Sequence, residues 1–459
     1  MVMKSNMRSK IRKYTLLVSA VWLLLAVQGQ AQYNEEKKRN FTLAEAQAFA
    51  VKNNLNVANA RLDIESARQR IWENTAMGLP QISAGASYTN NLQLMTTLIP
   101  GEFFGGEAGS YIPVKFGTQH NASANIIANQ LLFSGPFIVG LQAASTYKDL
   151  TQKNFDKQEA DIKEAVAQSY YSILLAEAGR DAFAKNLQTM EKRLEETRAM
   201  YETGFLEETD VDQIQIAVST LKNEHISASQ LVEMSYRFLI YRMGYGIDSN
   251  IVITETLEGI IAGLTDELLR QEFNVTEHYD YRIVNEQEKL AYLQVKMNKY
   301  EYMPTLSAYL NHQQMAMRNS FDFASTGGDW FPATMLGFNL EVPIFASGMR
   351  KAKIGQSKIE LEKTKNMKQD LSNALELQVQ QARIDFRTSY QRFLNERSNM
   401  DLAQKIFDRT SIKYKNGMVS SLEMTIATEQ LTGAQTGIIS AMVELLNSKL
   451  ALDKSLGNI

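Results

Sequence analysis

Four histidines, His120, His225, His278 and His312, and not one cysteine set the limits of metal and nucleophile chemistry in this 459-residue chain. Thiolate zinc sites, disulfide frameworks, cysteine nucleophiles and lipid attachment through cysteine are all excluded. No two histidines share a metal-ligand spacing, and His225 falls on an apolar helical seam, where a structural role suffices. His312 with Met315 and Met317 could offer an imidazole and two thioethers to a soft cation. Flexible methionine as loop or core filling is the simpler account, so no metal and no cofactor is assigned. A nucleophile elbow, a metalloprotease motif and a glycine-rich phosphate loop are also missing, and no enzymatic reaction is implied.

The chain opens with Lys4, Arg8, Lys10, Arg12 and Lys13, followed by an apolar run from Tyr14 to Val27 and small residues at Gly29 and Ala31. That layout predicts a signal peptide over residues 1–31, since the run is too short to cross a bilayer as a helix. Its removal takes away five positive charges and moves the formal net charge from -3 to -8. An acidic exported chain argues against nucleic acid as a partner.

Three stretches of the sequence repeat. Tyr201-Glu-Thr-Gly204 aligns with Tyr414-Lys-Asn-Gly417 at a displacement of 213 positions, Leu132-Phe133-Ser134-Gly135 aligns with Ile344-Phe345-Ala346-Ser347-Gly348, and Leu79-Pro80 aligns with Met303-Pro304. The order is the same in both halves, which predicts a tandem duplication. The first copy spans 32–248, with a helix at 41–76, a β-hairpin at 80–133 and a helical hairpin at 138–245. A linker at 249–274 precedes the second copy at 275–459, with a helix at 275–302, a β-hairpin at 304–345 and a helical hairpin at 347–457.

Strand-like alternation carries the β-hairpins. Ala122, Ala124, Ile126, Ala128 and Leu132 alternate with polar residues in the first copy, and Leu336, Phe338, Leu340, Val342 and Ile344 do so in the second. Strands of roughly ten residues match a tilted membrane strand. Glycine-rich and aromatic loops are expected between them, at about 92–117 and 315–332. The helices have apolar residues at spacings of four and three, as in Val211, Ile214, Val218 and Leu221, and in Met424, Ala427, Leu431 and Ala434. That period is a coiled-coil seam. Gly204 and Gly417 mark the turns, with Thr209 or Ser420 available to cap the helices that follow.

The fold class read from this pattern is an α+β membrane protein, mostly α, made of long coiled-coil hairpins and amphipathic β-hairpins. Four such strands cannot close a barrel in lipid, because an open edge leaves backbone groups unsatisfied. Eight strands from two chains leave no duct, whereas twelve from three chains do.

The chain resembles the TolC family of outer-membrane factors. The residues that carry the resemblance are Leu79-Pro80-Gln81 at a strand opening, Phe133-Ser134-Gly135 and Phe345-Ala346-Ser347-Gly348 at strand-to-helix junctions, the two Tyr-x-x-Gly turns, and Ser455-Leu456-Gly457 near the end. It implies a homotrimer with a 12-stranded β-barrel in outer-membrane lipid, continuous with a 12-helix periplasmic α-barrel. It also implies a passive export duct that works with a periplasmic membrane-fusion adaptor and an inner-membrane RND or ABC transporter. The competing class is a periplasmic coiled-coil adaptor or scaffold, which would have one helical hairpin and no amphipathic strand pairs.

By the same resemblance, Gly204, Phe205, Leu206, Gly417, Met418 and Val419 form the adaptor-docking tip, while Asp210, Tyr414 and Glu423 form a gate in which a tyrosine–carboxylate latch links Tyr414 to Asp210 between neighbouring hairpins. An arginine of the family pattern falls here on Val419, and a second acid falls on Ile426. Asp210 and Glu423 also stand where a carboxylate stabilises a helix N-terminus. The first turn is acidic, with Glu202, Glu207, Glu208 and Asp212 around it, whereas Arg409, Lys413 and Lys415 approach the second. In a ring of alternating hairpins these opposite charges would face each other.

Overall fold

A computed structural model describes residues 39–263, 267–323 and 328–459. The expected signal peptide lies outside the described residues. The described residues begin with β1 (Arg39–Phe41), α1 (Leu43–Asn53) and α2 (Leu55–Ala76), continue through β2 (Gln81–Asn90), β3 (Thr96–Pro100), β4 (Tyr111–Lys115) and β5 (His120–Ser134), and enter the helices α3 (Gly135–Glu202) and α4 (Glu208–Met243). After β6 (Ile251–Ile253), α5 (Leu257–Ala262) and α6 (Glu267–Arg270), the second half follows as α7 (Tyr279–Tyr300), β7 (Thr305–Arg318), β8 (Phe331–Glu341), α8 (Met349–Lys415) and α9 (Ser421–Leu456).

Corresponding helices match in length: 22 residues in α2 and α7, 68 and 67 in α3 and α8, and 36 in α4 and α9. A 68-residue helix extends roughly 100 Å. No proline interrupts either long helix after its first turn; Pro136 sits within the first turn of α3, where its missing N–H costs nothing.

Four strands make one antiparallel sheet in the order β2-β5-β7-β8. The two hairpins therefore join through β5 and β7, leaving β2 and β8 as free edges. Register places Ala84, Ile126 and His312 side by side, and next to them Ile82, Ala128, Leu310 and Leu336. The opposite face carries Gly85, Asn125 and Gln313 in one row and Gln81, Asn129 and Tyr309 in another. One face is thus mainly apolar and the other mainly polar, which is the pattern of a membrane strand between lipid and a wet interior.

Several local expectations change. The helix expected over 41–76 is two helices, because Asn54 leaves the helical region at φ -66°, ψ 132° and its side chain accepts from the Asn56 N–H, starting α2 afresh. The first helical hairpin starts at Gly135 instead of 138, since Ser134 caps it by accepting from Phe137 N–H. The expected helix at 275–302 is a short 3-10 turn at Val275–Glu277 followed by α7. Leu132 does not continue the apolar face, because a bulge between Leu131 and Phe133 shifts the alternation and brings Phe133 opposite Leu306. β8 ends at Glu341, two residues before Pro343, so Val342 and Ile344 lie beyond it. The loop at 92–117 contains a second hairpin, β3 with β4.

The largest core lies around the linker, at the middle of the long helices. Val57, Val166, Tyr170, Ile173, Leu239, Met243 and Leu446 are all fully buried there, and β1 pairs in parallel with β6 beside them. Gly244 is fixed by this packing. It takes φ 68° to end α4, and a Cβ there would stand 2.6 Å from the Asn53 carbonyl oxygen, beside the α1–α2 joint. Gly244→Ala is expected to cost roughly 2–4 kcal/mol through strain and overpacking together. A thermal melt of the detergent-solubilised protein that is unshifted by this substitution would contradict the close approach.

Candidate functional site

The two helical hairpins end at Gly204 and Gly417. Both glycines have positive φ, 79° and 68°, and both turns close in the same way. Gly204 and Phe205 N–H groups donate to the Tyr201 and Met200 carbonyls, and Gly417 and Met418 N–H groups donate to the Tyr414 and Lys413 carbonyls. This is the double bond of a Schellman turn, and it needs the left-handed conformation that glycine adopts without strain.

The helices leaving the turns are capped differently. Ser420 accepts from Glu423 N–H, as expected. In the first hairpin the cap is Glu207, not Thr209, because α4 already starts at Glu208 and Thr209 lies inside its first turn. Glu207 N–H donates to the Asp210 carboxylate at 3.1 Å, so Asp210 is the returning half of a capping box.

Asp210 and Tyr414 each tie the first hairpin to the second, through partners other than one another. The Ser421 hydroxyl lies between the Asp210 carboxylate and Gln213 Oε1. Tyr414 is buried, and its phenol stands 2.8 Å from the Thr197 hydroxyl. Thr197 gives its own proton to the Arg193 carbonyl, so the phenol is the donor in that pair. Burial pushes the Tyr414 phenol above its ordinary range, with Asp210 adding to the shift against the Thr197 hydrogen bond, and the group stays a neutral donor. Glu423 is exposed, and among the described residues its carboxylate joins no ion pair.

Higher on the same seam, Asn186 and Gln435 exchange hydrogen bonds in a buried amide pair. Thr197, Ser421, Asn186 and Gln435 escaped the sequence reading. The signal available was spacing: Asn186 lies four residues before Met190, and Gln435 four after Leu431, so both are polar groups at seam positions. Thr197 and Ser421 become recognisable only when the second hairpin is placed beside the first.

Between the tips lies a cleft of about 810 Å³, lined by Met200, Phe205 and Leu206 from one hairpin and Tyr414, Gly417 and Val419 from the other. Leu206 and Val419 are half-buried in it, whereas Phe205 and Met418 are 83% and 72% exposed. Among the described residues, Glu202, Glu207, Glu208, Asp212, Arg409, Lys413 and Lys415 make no ion pair within the chain.

His312 is separated from Met315 and Met317 by the sheet itself. It lies on the mainly apolar face with its Nδ1 at 2.8 Å from the Thr334 hydroxyl, while both methionines occupy the other face. The three cannot converge on one cation within a protomer.

A sheet with one apolar and one polar face, set on long paired helices, is the architecture of a protein whose strands lie in a membrane. The chain belongs to the outer membrane efflux protein family, which it matches over residues 49–240 and 286–458. It is an efflux channel component of the outer membrane with a periplasmic extension. The family is one of channels, and its members work in tripartite efflux assemblies. No curated protein matches the chain by sequence.

Among solved structures, the chain resembles the outer membrane protein VceC from Vibrio cholerae, with a TM-score of 0.68 and 15% identity over 90% of this chain and 96% of that one. The CmeC outer membrane channel of Campylobacter jejuni gives 0.68 and 14% identity over 94% and 91%. The open state of the MtrE outer membrane channel of Neisseria gonorrhoeae gives 0.66 and 18% over 90% and 88%. At these identities the likeness is one of fold.

Proposed function

We propose that three copies of the chain close a single passive duct from periplasm to exterior, whose tip docks on a periplasmic membrane-fusion adaptor and is served by an inner-membrane RND or ABC transporter. The observation that carries the trimer is the pair of free edges on the sheet. All ten residues of β2 are exposed, and β8 is nearly as bare. In lipid such edges must be paired, and three sets of four strands give a twelve-stranded ring with an open interior. On this reading Asp210, Tyr414 and Glu423 are the gate, while Gly204, Phe205, Leu206, Gly417, Met418 and Val419 form the adaptor-docking tip. Outward-pointing Phe205 and Met418 beside an apolar cleft support an intermittently covered surface.

Two measurements test the parts separately. The purified protein in detergent should have the mass of a trimer and form conducting channels in planar bilayers; a monomer without conductance would end the duct reading. Photo-cross-linkers at Phe205 and Met418 should capture a periplasmic protein with a coiled-coil hairpin, and the yield should collapse when the label is moved up the helix to Lys222. Silence at both tip positions in cells that export normally would remove adaptor docking.

A further inference from the structure

The β3–β4 hairpin stands outside everything the duct requires. Asn91 N–H donates to the Gln119 carbonyl at 2.7 Å, ending the main ladder, and the chain then makes a separate two-stranded unit before returning as β5. Leu92, Met95, Leu98 and Phe103 in this unit are 89%, 79%, 61% and 81% exposed.

Membrane lipid is a poor cover for them. Ten residues of β2 rise roughly 33 Å, and at the usual tilt they fill the apolar band of about 25 Å. At their far end Tyr88, His120 and Phe321 form an aromatic cluster, with Tyr88 and Phe321 centroids 5.4 Å apart, as expected of an interfacial girdle. The hairpin therefore lies beyond the girdle, in water. An isolated two-stranded hairpin is marginal there, and apolar side chains on it call for a protein surface. Pro100 and Pro113 lie within its strands and remove two N–H donors, so side-chain packing suits it better than strand addition.

The sheet edges say which surface is at hand. β2 is one free edge and β8 the other, so a ring of copies places β2 of one against β8 of the next. Both edges reach the same rim of the sheet, where β2 finishes at Asn90 and β8 begins at Phe331, in the row of Met315, Ser123 and Ser87. Just past that joint, Leu92 and Met95 leave one copy while Trp330 and Phe331, 41% and 55% exposed, belong to the next. We propose that the Leu92–Leu98 base of the hairpin packs on Trp330 and Phe331 of the neighbouring copy, forming an apolar clasp between copies outside the membrane. The clasp rests on the trimeric reading above.

The absence of cysteine makes the test clean. A Leu92→Cys/Trp330→Cys protein, treated in detergent with a short bis-maleimide, should give covalent trimers on denaturing gels, while each single variant should stay monomeric there. Light scattering on the same samples reports the assembly independently. A trimeric mass with no covalent product from the pair overturns the clasp and leaves the trimer standing. Covalent dimers from Leu92→Cys alone overturn it in favour of hairpins meeting one another across the axis. A solvatochromic dye on Leu98→Cys that shifts to the blue only in vesicles overturns it in favour of lipid. A monomeric mass overturns the clasp together with the trimeric duct.

Discussion

Leu310→Arg is expected to abolish assembly in the outer membrane, and Gln313→Arg, three residues along the same strand, to leave it intact. Leu310 lies near the middle of β7, between Ala128 and Leu336 on the apolar face. An arginine facing lipid at the bilayer midplane costs about 2–4 kcal/mol, and every copy in a ring would carry one. Gln313 lies between Asn125 and Ala333 on the polar face, where a cation meets water. The heat-modifiable oligomer in membrane extracts should fall by roughly tenfold or more for Leu310→Arg and by less than about twofold for Gln313→Arg. The Gln313→Arg channel should instead shift its reversal potential toward anions in a salt gradient. If the two variants assembled equally well, or in the opposite order, the assignment of faces would be wrong.

That assignment was largely readable without coordinates. The alternation of Ala122, Ala124, Ile126 and Ala128 against asparagine and serine identifies the faces, because side-chain direction in a strand follows parity alone. Duplication was readable for a similar reason: a turn glycine and a strand-to-helix junction are local devices, and the chain repeats them 213 positions apart. What escaped was decided elsewhere in space or by a single residue. The bulge after Leu131 inverts parity without changing composition. The α1–α2 break depends on Asn54, whose side-chain amide also donates to the Arg242 carbonyl across 188 positions. The β3–β4 hairpin hid behind Pro100 and Pro113, residues that count against a strand in any local reading. At the tips, the residue types of Asp210 and Tyr414 were recognisable, whereas Ser421 and Thr197 are ordinary hydroxyls until the hairpins are side by side.

If Asp210 and Tyr414 hold the tip shut, as proposed above, those two hydroxyls allow a decisive experiment. Tyr414→Phe removes one buried donor and leaves the ring in place, so Thr197 loses its hydrogen bond without a cavity forming. Asp210→Ala removes the acceptor facing Ser421 and the carboxylate that holds Glu207 N–H. Each lost bond between the hairpins is worth about 1–1.5 kcal/mol, and together they weaken the closed arrangement by about 3 kcal/mol. The open-to-closed ratio should then rise on the order of a hundredfold for the double variant and about tenfold for either single one. Single-channel recordings would read this as a higher open probability, and cells should become more permeable to large antibiotics. Asp210→Asn keeps an acceptor for Ser421 and should recover much of the closure, which separates loss of the latch from loss of the helix start. Glu423→Gln should change little within one protomer, because among the described residues the exposed carboxylate joins no ion pair. A large effect of Glu423→Gln would place its partner on a neighbouring copy. A double Asp210→Ala/Tyr414→Phe channel that conducts and leaks like the parent would show that closure is set by other contacts, with the Asn186–Gln435 pair higher on the seam the next to be removed.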